Sequence, residues 1–148
     1  IELVRTYLAP SPSIGRKSQR NIYLTRPAGR RGFVNENRVT ECMKGHGLEV
    51  IAPEKLSLQD QFRLFESAGT IVGAHGAALS NLVFCKPRTR VLELALASRA
   101  IQTFESLSHF CGLEYTRVLI PTENSRESVI VPESVLTQVK RWLGDTLH

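Results

Sequence analysis

Residues 70–96 read TIVGAHGAALSNLVFCKPRTRVLELAL, and this stretch decides the fold class of the chain. It opens on the apolar, β-branched pair Ile71-Val72 and closes on a second apolar run, Val91 to Leu96. Between them, Gly73 to Leu79 is a short glycine-containing segment that leads into residues compatible with a helix. A buried strand, a turn, a helix and a second strand in this order predict a βαβ unit.

The turn in the middle of this unit has the features of an anion-binding site. Gly73 and Gly76 lack a Cβ atom, so the backbone can turn sharply and a ligand can approach it closely. The first N–H groups of the following helix lack intrahelical partners and suit a phosphate. His75 either donates to such a ligand or is an ordinary packing histidine, and the Gly-x-x-Gly spacing does not decide between the two.

Size and composition are those of an ordinary globular domain. The chain has 148 residues, enough for one domain, with 42% hydrophobic and 22% charged residues. Its apolar runs are too short to cross a bilayer and no signal peptide opens it, so we predict no transmembrane segment in this stretch. Because the chain opens on Ile1 rather than Met, we expect a fragment of a longer protein.

Neither a metal site nor a disulfide framework is predicted. Cys42, Cys85 and Cys111 are far apart in sequence without a Cys-x-x-Cys pair, and the histidines form no metal-ligand motif. We therefore expect the cysteines to be small buried hydrophobic residues.

Basic residues are concentrated in the first third of the chain. The net charge is +5, which favours an anionic partner. The cluster consists of Arg16, Lys17, Arg20, Arg26, Arg30, Arg31 and Arg38. A solvated basic face explains it equally well. Because the cluster lacks the series of interleaved aromatic residues that single-strand binders use for stacking, no nucleic-acid partner is predicted.

Strand and helix signals alternate on both sides of the central unit. Asn21 to Thr25 is predicted to be the first strand, and the glycine- and arginine-rich loop from Arg26 to Gly32 follows it. In open α/β sheets, ligands bind at this carboxyl edge of the strands, where arginines can give bidentate hydrogen bonds to phosphate. Asn35 is the predicted N-cap of the next helix, which extends through about Lys44.

The remaining elements complete a Rossmann-like α/β fold, with a doubly wound and mostly parallel sheet. Predicted strands cover residues 48–52, 91–96 and 114–120, with a short edge strand at 129–131, and predicted helices cover residues 57–68, 102–110 and 132–144. We interpret residues 1–20 as a linker or the remnant of a preceding domain, and residues 21–148 as one Rossmann-like domain with a C-terminal helix.

Several ordered motifs resemble the signature of glycosyltransferase family 61. They are Tyr23-Leu-Thr-Arg26, Arg30-Arg31, Asn35-Glu36, Gly73-Ala-His-Gly-Ala-Ala-Leu79, Asn81-Leu-Val-Phe-Cys-Lys-Pro87 and Thr89-Arg-Val-Leu-Glu-Leu94. The family includes bacterial capsular-polysaccharide enzymes, plant xylan xylosyl- and arabinosyltransferases, and animal protein O-GlcNAc transferases. The resemblance extends from about Asn21 to Leu96.

The resemblance implies the C-terminal, donor-binding half of a GT-B glycosyltransferase, in which two Rossmann-like domains face each other. Such an enzyme transfers a sugar with inversion from a nucleotide donor, usually UDP-linked, to a glycan or protein acceptor, generally without a metal or another cofactor. The expected partner is therefore the N-terminal domain of the same protein, and this half alone is expected to be inactive.

The donor site that the resemblance implies consists of Arg26, Arg30, Arg31, His75, Gly76, Ala77 and Glu93. The arginines are expected near the diphosphate, together with the side chain of His75 and the backbone of Gly76 and Ala77 as donors. Because fixed donors stabilise the charge of a departing nucleoside diphosphate, His75 is the expected catalytic residue. Glu93 is expected at the ribose hydroxyls, and the general base is not evident.

Two questions stay open at the level of sequence. The chain could instead be a non-catalytic Rossmann-like module that binds a polyanion or a protein partner through its basic loop, in which case its affinity for UDP would be negligible. The compartment also depends on the source of the chain: cytoplasmic or membrane-peripheral for a bacterial member of the family, and the secretory lumen for a eukaryotic one.

Overall fold

In the described residues, five parallel strands form one sheet. The computed structural model describes residues 19–26, 32–99, 101–122 and 128–144. The strands are β1 (Arg20–Leu24), β2 (Glu49–Ile51), β3 (Ala68–Ala74), β4 (Arg90–Leu96) and β5 (Glu114–Ile120). Their order across the sheet is β2-β1-β3-β4-β5, and every neighbouring pair is parallel. The predicted parallel α/β sheet is confirmed.

The same residues contain four α-helices: α1 (Glu36–Gly45), α2 (Leu58–Ser67), α3 (Thr103–Phe110) and α4 (Glu133–Gly144). Three short 3₁₀ helices lie at Pro53–Lys55, Ala77–Phe84 and Ala97–Arg99. The segment after the predicted glycine turn is therefore helical, but as a 3₁₀ helix rather than an α-helix. Among the described residues, no helix is long and apolar enough to cross a membrane.

Helix starts follow the sequence prediction in one case and depart from it in another. Ser57 caps α2, since its hydroxyl accepts a hydrogen bond from the backbone N–H of Asp60 at 3.1 Å. Asn35 precedes α1 but makes no capping bond. Its side chain instead bonds the backbone of Val131 in both directions, each at 2.9 Å. The predicted strand at 129–131 is wrong, because only an isolated bridge forms there.

Helices cover both faces of the sheet. On one face, α1 and α4 pack over residues that include Val72 and Leu92. On the other face, α2, α3 and the 3₁₀ helix Ala77–Phe84 pack over residues that include Ile71 and Val91. Adjacent residues of a strand point to opposite faces, so a strand buried on both sides must be continuously apolar. This is why the apolar runs in the sequence marked the central strands.

The strand order creates a topological switch point between β1 and β3. These strands are neighbours, with Leu24 opposite Gly73. The chain leaves β1 toward α1, whereas it leaves β3 toward the 3₁₀ helix Ala77–Phe84 on the opposite face. In open α/β sheets such a point opens a crevice at the carboxyl ends of the strands, where ligands bind. The segments that follow β1 and β3 meet at this crevice.

Candidate functional site

Arg26 and the turn after β3 meet at the crevice. Nη1 of Arg26 donates a hydrogen bond to the backbone carbonyl of His75. A Cβ atom on Gly76 would lie 3.5 Å from the same nitrogen. Two of the predicted motifs, from different strands, are thereby brought together. Arg30 and Arg31, which the sequence also placed here, lie outside the described residues.

The two glycines of the predicted turn have roles that differ from those expected. Gly73 lies inside β3, where a Cβ atom would come within 3.3 Å of the Leu79 side chain and 3.4 Å of Leu24. It makes room for the 3₁₀ helix to pack on the sheet. Gly76 has a φ of 167°, an extended conformation that any residue adopts, so the bend at His75 and Gly76 does not depend on the conformational freedom of glycine. Gly76 instead leaves the backbone beside Arg26 without a side chain.

The 3₁₀ helix supplies backbone donors beside this turn. Its first hydrogen bond runs from the N–H of Leu79 to the carbonyl of Gly76, at 3.0 Å. The N–H groups of Ala77 and Ala78 precede that bond, so they have no acceptor within the helix. Such groups favour anions. Backbone donors and the Arg26 cation therefore lie at one edge of the sheet.

The His75 side chain is bonded to a buried carboxylate. Its Nδ1 is hydrogen-bonded to Oε1 of Glu93. Its ring meets that of Phe104 of α3 edge-on, with 5.0 Å between the ring centroids. The His75 side chain is 19% exposed, whereas that of Glu93 is fully buried. Because Nδ1 is used by Glu93, the second ring nitrogen, Nε2, lies on the opposite edge of the ring and takes no part in these contacts.

Two residues of β5 hold the other oxygen of Glu93. The Tyr115 hydroxyl donates to Oε2, and Nε of Arg117 donates to the Tyr115 oxygen at 3.0 Å. Arg117 also lies 3.7 Å from Oε2. A carboxylate in the interior of a sheet requires such partners. Burial, and then the hydrogen bond to Glu93, raises the pKa of Tyr115, so this hydroxyl stays protonated and continues to donate.

Sequence reasoning found Glu93 and His75 but not the two partners of Glu93 on β5, Tyr115 and Arg117. Both Glu93 oxygens are bonded to protein groups, and its contact with a ribose stays a prediction. The available signal for Tyr115 and Arg117 was their spacing, since residues two apart on a strand face the same side. That signal does not say which residue they meet. The β4–β5 register, which puts Glu93 opposite Arg117, settles it.

A second tyrosine–glutamate pair lies beside the loop after β1. The Tyr23 hydroxyl donates to Oε1 of Glu36 at 2.9 Å. Among the described residues, no hydrogen bond of normal geometry reaches Oε2 of Glu36. Burial raises the pKa of Glu36, against the opposing effects of Tyr23 and the backbone N–H of Arg26. Glu36 is thus an incompletely bonded carboxylate close to the crevice.

The cysteines follow the sequence prediction. Cys42 and Cys85 are buried and Cys111 is partly buried, and none of the three forms a disulfide. Within the part of the chain that the structure describes, no group of three or more His, Cys, Asp or Glu residues is placed to hold a metal ion. Independence of the reaction from metal stays a prediction.

Comparison with known families decides where the chain belongs. The family model described as Glycosyltransferase 61 matches residues 1–92, more than half of the 148 residues. The chain belongs to glycosyltransferase family 61. This confirms the family that the motifs indicated. The match contains Arg26 and the turn at His75 and ends one residue before Glu93, so the two β5 residues lie outside it.

This family 61 chain is similar to plant transferases. It is 32% identical over 89 residues to a beta-1,2-xylosyltransferase of Oryza sativa subsp. japonica, an alignment that covers 60% of this chain and 16% of that protein. A beta-1,2-xylosyltransferase of Arabidopsis thaliana is 29% identical over 89 residues, again 60% and 16%. A xylan glycosyltransferase of Arabidopsis thaliana is 28% identical over 118 residues, 74% and 24%. The chain thus spans 16–24% of the length of these relatives.

Proposed function

We propose that this chain is the donor-binding domain of an inverting glycosyltransferase that uses a nucleotide sugar, a UDP-sugar by preference, to build a polysaccharide or another glycan. Membership in family 61 supports the transferase class. The named relatives, two xylosyltransferases and a xylan glycosyltransferase, support a glycan product. The observation that carries the proposal is the contact of Arg26 with the His75 turn at the switch point of a parallel sheet.

The chemistry of that contact fits the diphosphate of a nucleotide sugar. Arg26 offers a planar guanidinium, which can bond two phosphate oxygens at once. The N–H groups of Ala77 and Ala78 add uncharged donors at the start of the 3₁₀ helix. Because a diphosphate has several acceptor oxygens, it can engage the cation and the backbone together. We expect Arg30 and Arg31 to extend this set.

His75 would act on the leaving group. With Nδ1 bonded to Glu93, a proton on Nε2 gives an imidazolium whose charge Glu93 balances, and Nε2–H can donate to a phosphate oxygen. In the inverting step, the acceptor oxygen bonds the anomeric carbon while the bond from that carbon to the phosphate oxygen breaks, and UDP keeps the electron pair. Fixed donors stabilise the charge that develops on the leaving oxygen.

The acceptor half of the reaction is assigned to a second domain. We expect the N-terminal domain of the same protein to bind the glycan or protein acceptor and to supply the general base that takes the acceptor proton. No metal or other cofactor is needed in this scheme, because Arg26, the backbone donors and His75 supply the positive field. The chain alone should therefore bind the donor without turning it over.

Calorimetric titration of the chain with UDP tests the proposal. We expect binding that does not require Mg²⁺. Arg26→Ala and His75→Ala should each weaken it about ten- to hundred-fold, the value of one charge-assisted hydrogen bond. Arg63→Ala is the matched control, because it removes an equal charge from the exposed surface of α2. It should leave the Kd within about twofold.

If the chain alone does not bind UDP, the same titration of the full-length protein shows why. Binding by the full-length protein but not by the folded chain would mean that the site requires its partner domain. Failure of both to bind UDP would reject the donor site. If both then bind a polyanion, the chain is a non-catalytic binding module.

A further inference from the structure

We propose that Tyr115 and Arg117 are positioning residues of this site, because they fix the Glu93 carboxylate that orients the imidazole of His75. The inference rests on the proposed function in one respect, that His75 serves the diphosphate of the donor. The orientation itself is a property of the chain without ligand. Neither β5 residue needs to touch the donor, since each acts through Glu93.

The direction of each hydrogen bond in this series follows from the chemistry of its members. Nε–H of Arg117 can only donate, so the Tyr115 oxygen accepts from it at 3.0 Å. The Tyr115 proton then goes to Oε2 of Glu93. Because an ionised carboxylate only accepts, the proton between Glu93 and His75 belongs to Nδ1. In the neutral imidazole the series selects the Nδ1–H tautomer, so that Nε2 is the nitrogen that takes up the second proton and, once protonated, donates to a phosphate oxygen.

Regular secondary structure holds the members of the series in place. Glu93 lies opposite Gly73 in the β3–β4 register and opposite Arg117 in the β4–β5 register. His75 directly follows β3, and its N–H donates to the carbonyl of Leu94 at 2.9 Å. Groups on strands are positioned more precisely than groups on loops. The edge strand β5 therefore contributes to the geometry of a crevice that it does not border.

Helix α3 and the residues before it support both ends of the series. At one end, Phe104 packs against the His75 ring. At the other end, Oε2 of Glu105 lies 3.5 Å from Nη2 of Arg117. The backbone carbonyl of Ile101 accepts a hydrogen bond from the same nitrogen at 3.2 Å. These contacts fix the guanidinium whose Nε holds Tyr115.

The titratable and charged groups around the imidazole come from four elements: Arg26 after β1, Glu93 on β4, Tyr115 and Arg117 on β5, and Glu105 on α3. Arg26 bonds the backbone carbonyl of His75 rather than its ring. Arg117 is shared by two carboxylates, Glu93 and Glu105. Without the Tyr115 hydroxyl, Oε2 would lose its donor. An imidazole whose carboxylate partner is not fixed loses its preferred tautomer.

The tautomer of His75 can be measured without any ligand. In nitrogen NMR spectra of the neutral imidazole, we expect Nδ1 to carry the proton in the wild-type chain. A spectrum in which Nε2 carries it, or in which both tautomers are equally populated, would overturn the proposal.

Tyr115→Phe is the decisive variant, because it removes only the hydroxyl. We expect the Nδ1–H tautomer to lose its dominance, and the affinity for UDP to fall about three- to tenfold, less than in His75→Ala. Tyr23→Phe is the matched control for the tautomer, since it also deletes a tyrosine hydroxyl that donates to a glutamate, but on the other face of the sheet. If Tyr115→Phe does not fold, Arg117→Lys replaces it in the experiment. We expect Arg117→Lys to change the tautomer in the same direction.

The two readouts separate failure of this inference from failure of the proposed function. A changed tautomer in the β5 variants, with no UDP binding by the wild-type chain or the full-length protein, supports the positioning role and rejects the donor site. UDP binding that depends on His75, with an unchanged tautomer in both β5 variants, rejects the positioning role and keeps the donor site.

Discussion

The two tyrosine–glutamate pairs of this domain lie on opposite faces of one sheet and differ in how completely the carboxylate is bonded. Tyr115 packs on the face covered by α3, and Tyr23 on the face covered by α1. Glu93 has a hydrogen bond on each oxygen. Glu36 has one on Oε1 and, among the described residues, none of normal geometry on Oε2. The same two residue types thus give a fully bonded carboxylate in one place and an incompletely bonded one in the other.

The difference follows from the elements that carry the two glutamates. Glu93 is in a central strand, so its neighbours in β3 and β5 are fixed by the register and supply donors from both sides. Glu36 is in the first turn of α1, where the helix dipole favours a negative charge. There the nearby donors come from a strand and a loop that have no register with the helix. A carboxylate that must hold another side chain in a fixed position is therefore better placed on a central strand than in the first turn of a helix.

The largest expected effect comes from removing the fully bonded carboxylate. Glu93→Ala leaves Tyr115 and Arg117 without their buried acceptor, and we expect the free energy of unfolding to fall by about 3–5 kcal/mol. Glu36→Ala should cost less, about 1–2 kcal/mol, because that carboxylate is incompletely bonded already. Urea unfolding measures both. Glu105→Ala, at an exposed position, is the control and should change stability by less than about 1 kcal/mol. Equal losses at Glu93 and Glu36 would contradict the comparison.

A smaller effect is expected from the tyrosine hydroxyls. Tyr115→Phe should lower the free energy of unfolding by about 1.5–3 kcal/mol, because its acceptor is a fully buried carboxylate. Tyr23→Phe should cost about 0.5–1.5 kcal/mol, because Glu36, whose pKa is raised by burial, can take up a proton instead. Urea unfolding of both variants near neutral pH is the measurement. A larger loss in Tyr23→Phe would reverse the order of the two pairs.

The fold and the residues at its ligand edge were predictable because both depend on local pattern. Apolar runs such as Val91 to Leu96 mark strands that are buried on both faces. Arg26 lies two residues after β1 and His75 directly follows β3, so both fall at the carboxyl edge of a parallel sheet whatever its register. Their meeting required only that β1 and β3 be neighbours, which the doubly wound arrangement provides.

Contacts between residues that are far apart in the sequence were not predictable from local pattern. Tyr115 and Glu93 are 22 positions apart, and their hydrogen bond depends on the register of two strands. Asn35 has a strong intrinsic preference for an N-cap, but hydrogen bonds to Val131, 96 positions away, replace the cap. Local preference cannot anticipate a partner that the folded chain brings in from elsewhere.

The smallest expected effect is a pH dependence specific to Glu36. Burial holds the folded-state pKa of Glu36 above its ordinary value of 4.5. As the pH rises from that value through the folded-state pKa, the unfolded chain has released this proton while the folded chain still holds it. The stability that Glu36 contributes is therefore lost as the pH rises. Glu36→Gln has no proton to lose, so its free energy of unfolding should increase relative to that of the wild type over this interval.

Urea unfolding of both proteins in steps from about pH 4 to about pH 7 tests this expectation. The quantity of interest is the difference between variant and wild type, because every other titrating group contributes to both. Glu54→Gln, at an exposed position, is the control for the removal of a carboxylate from the surface. If Glu36→Gln shows the same pH dependence as this control, burial does not raise the pKa of Glu36 in the folded chain, and the expectation is wrong.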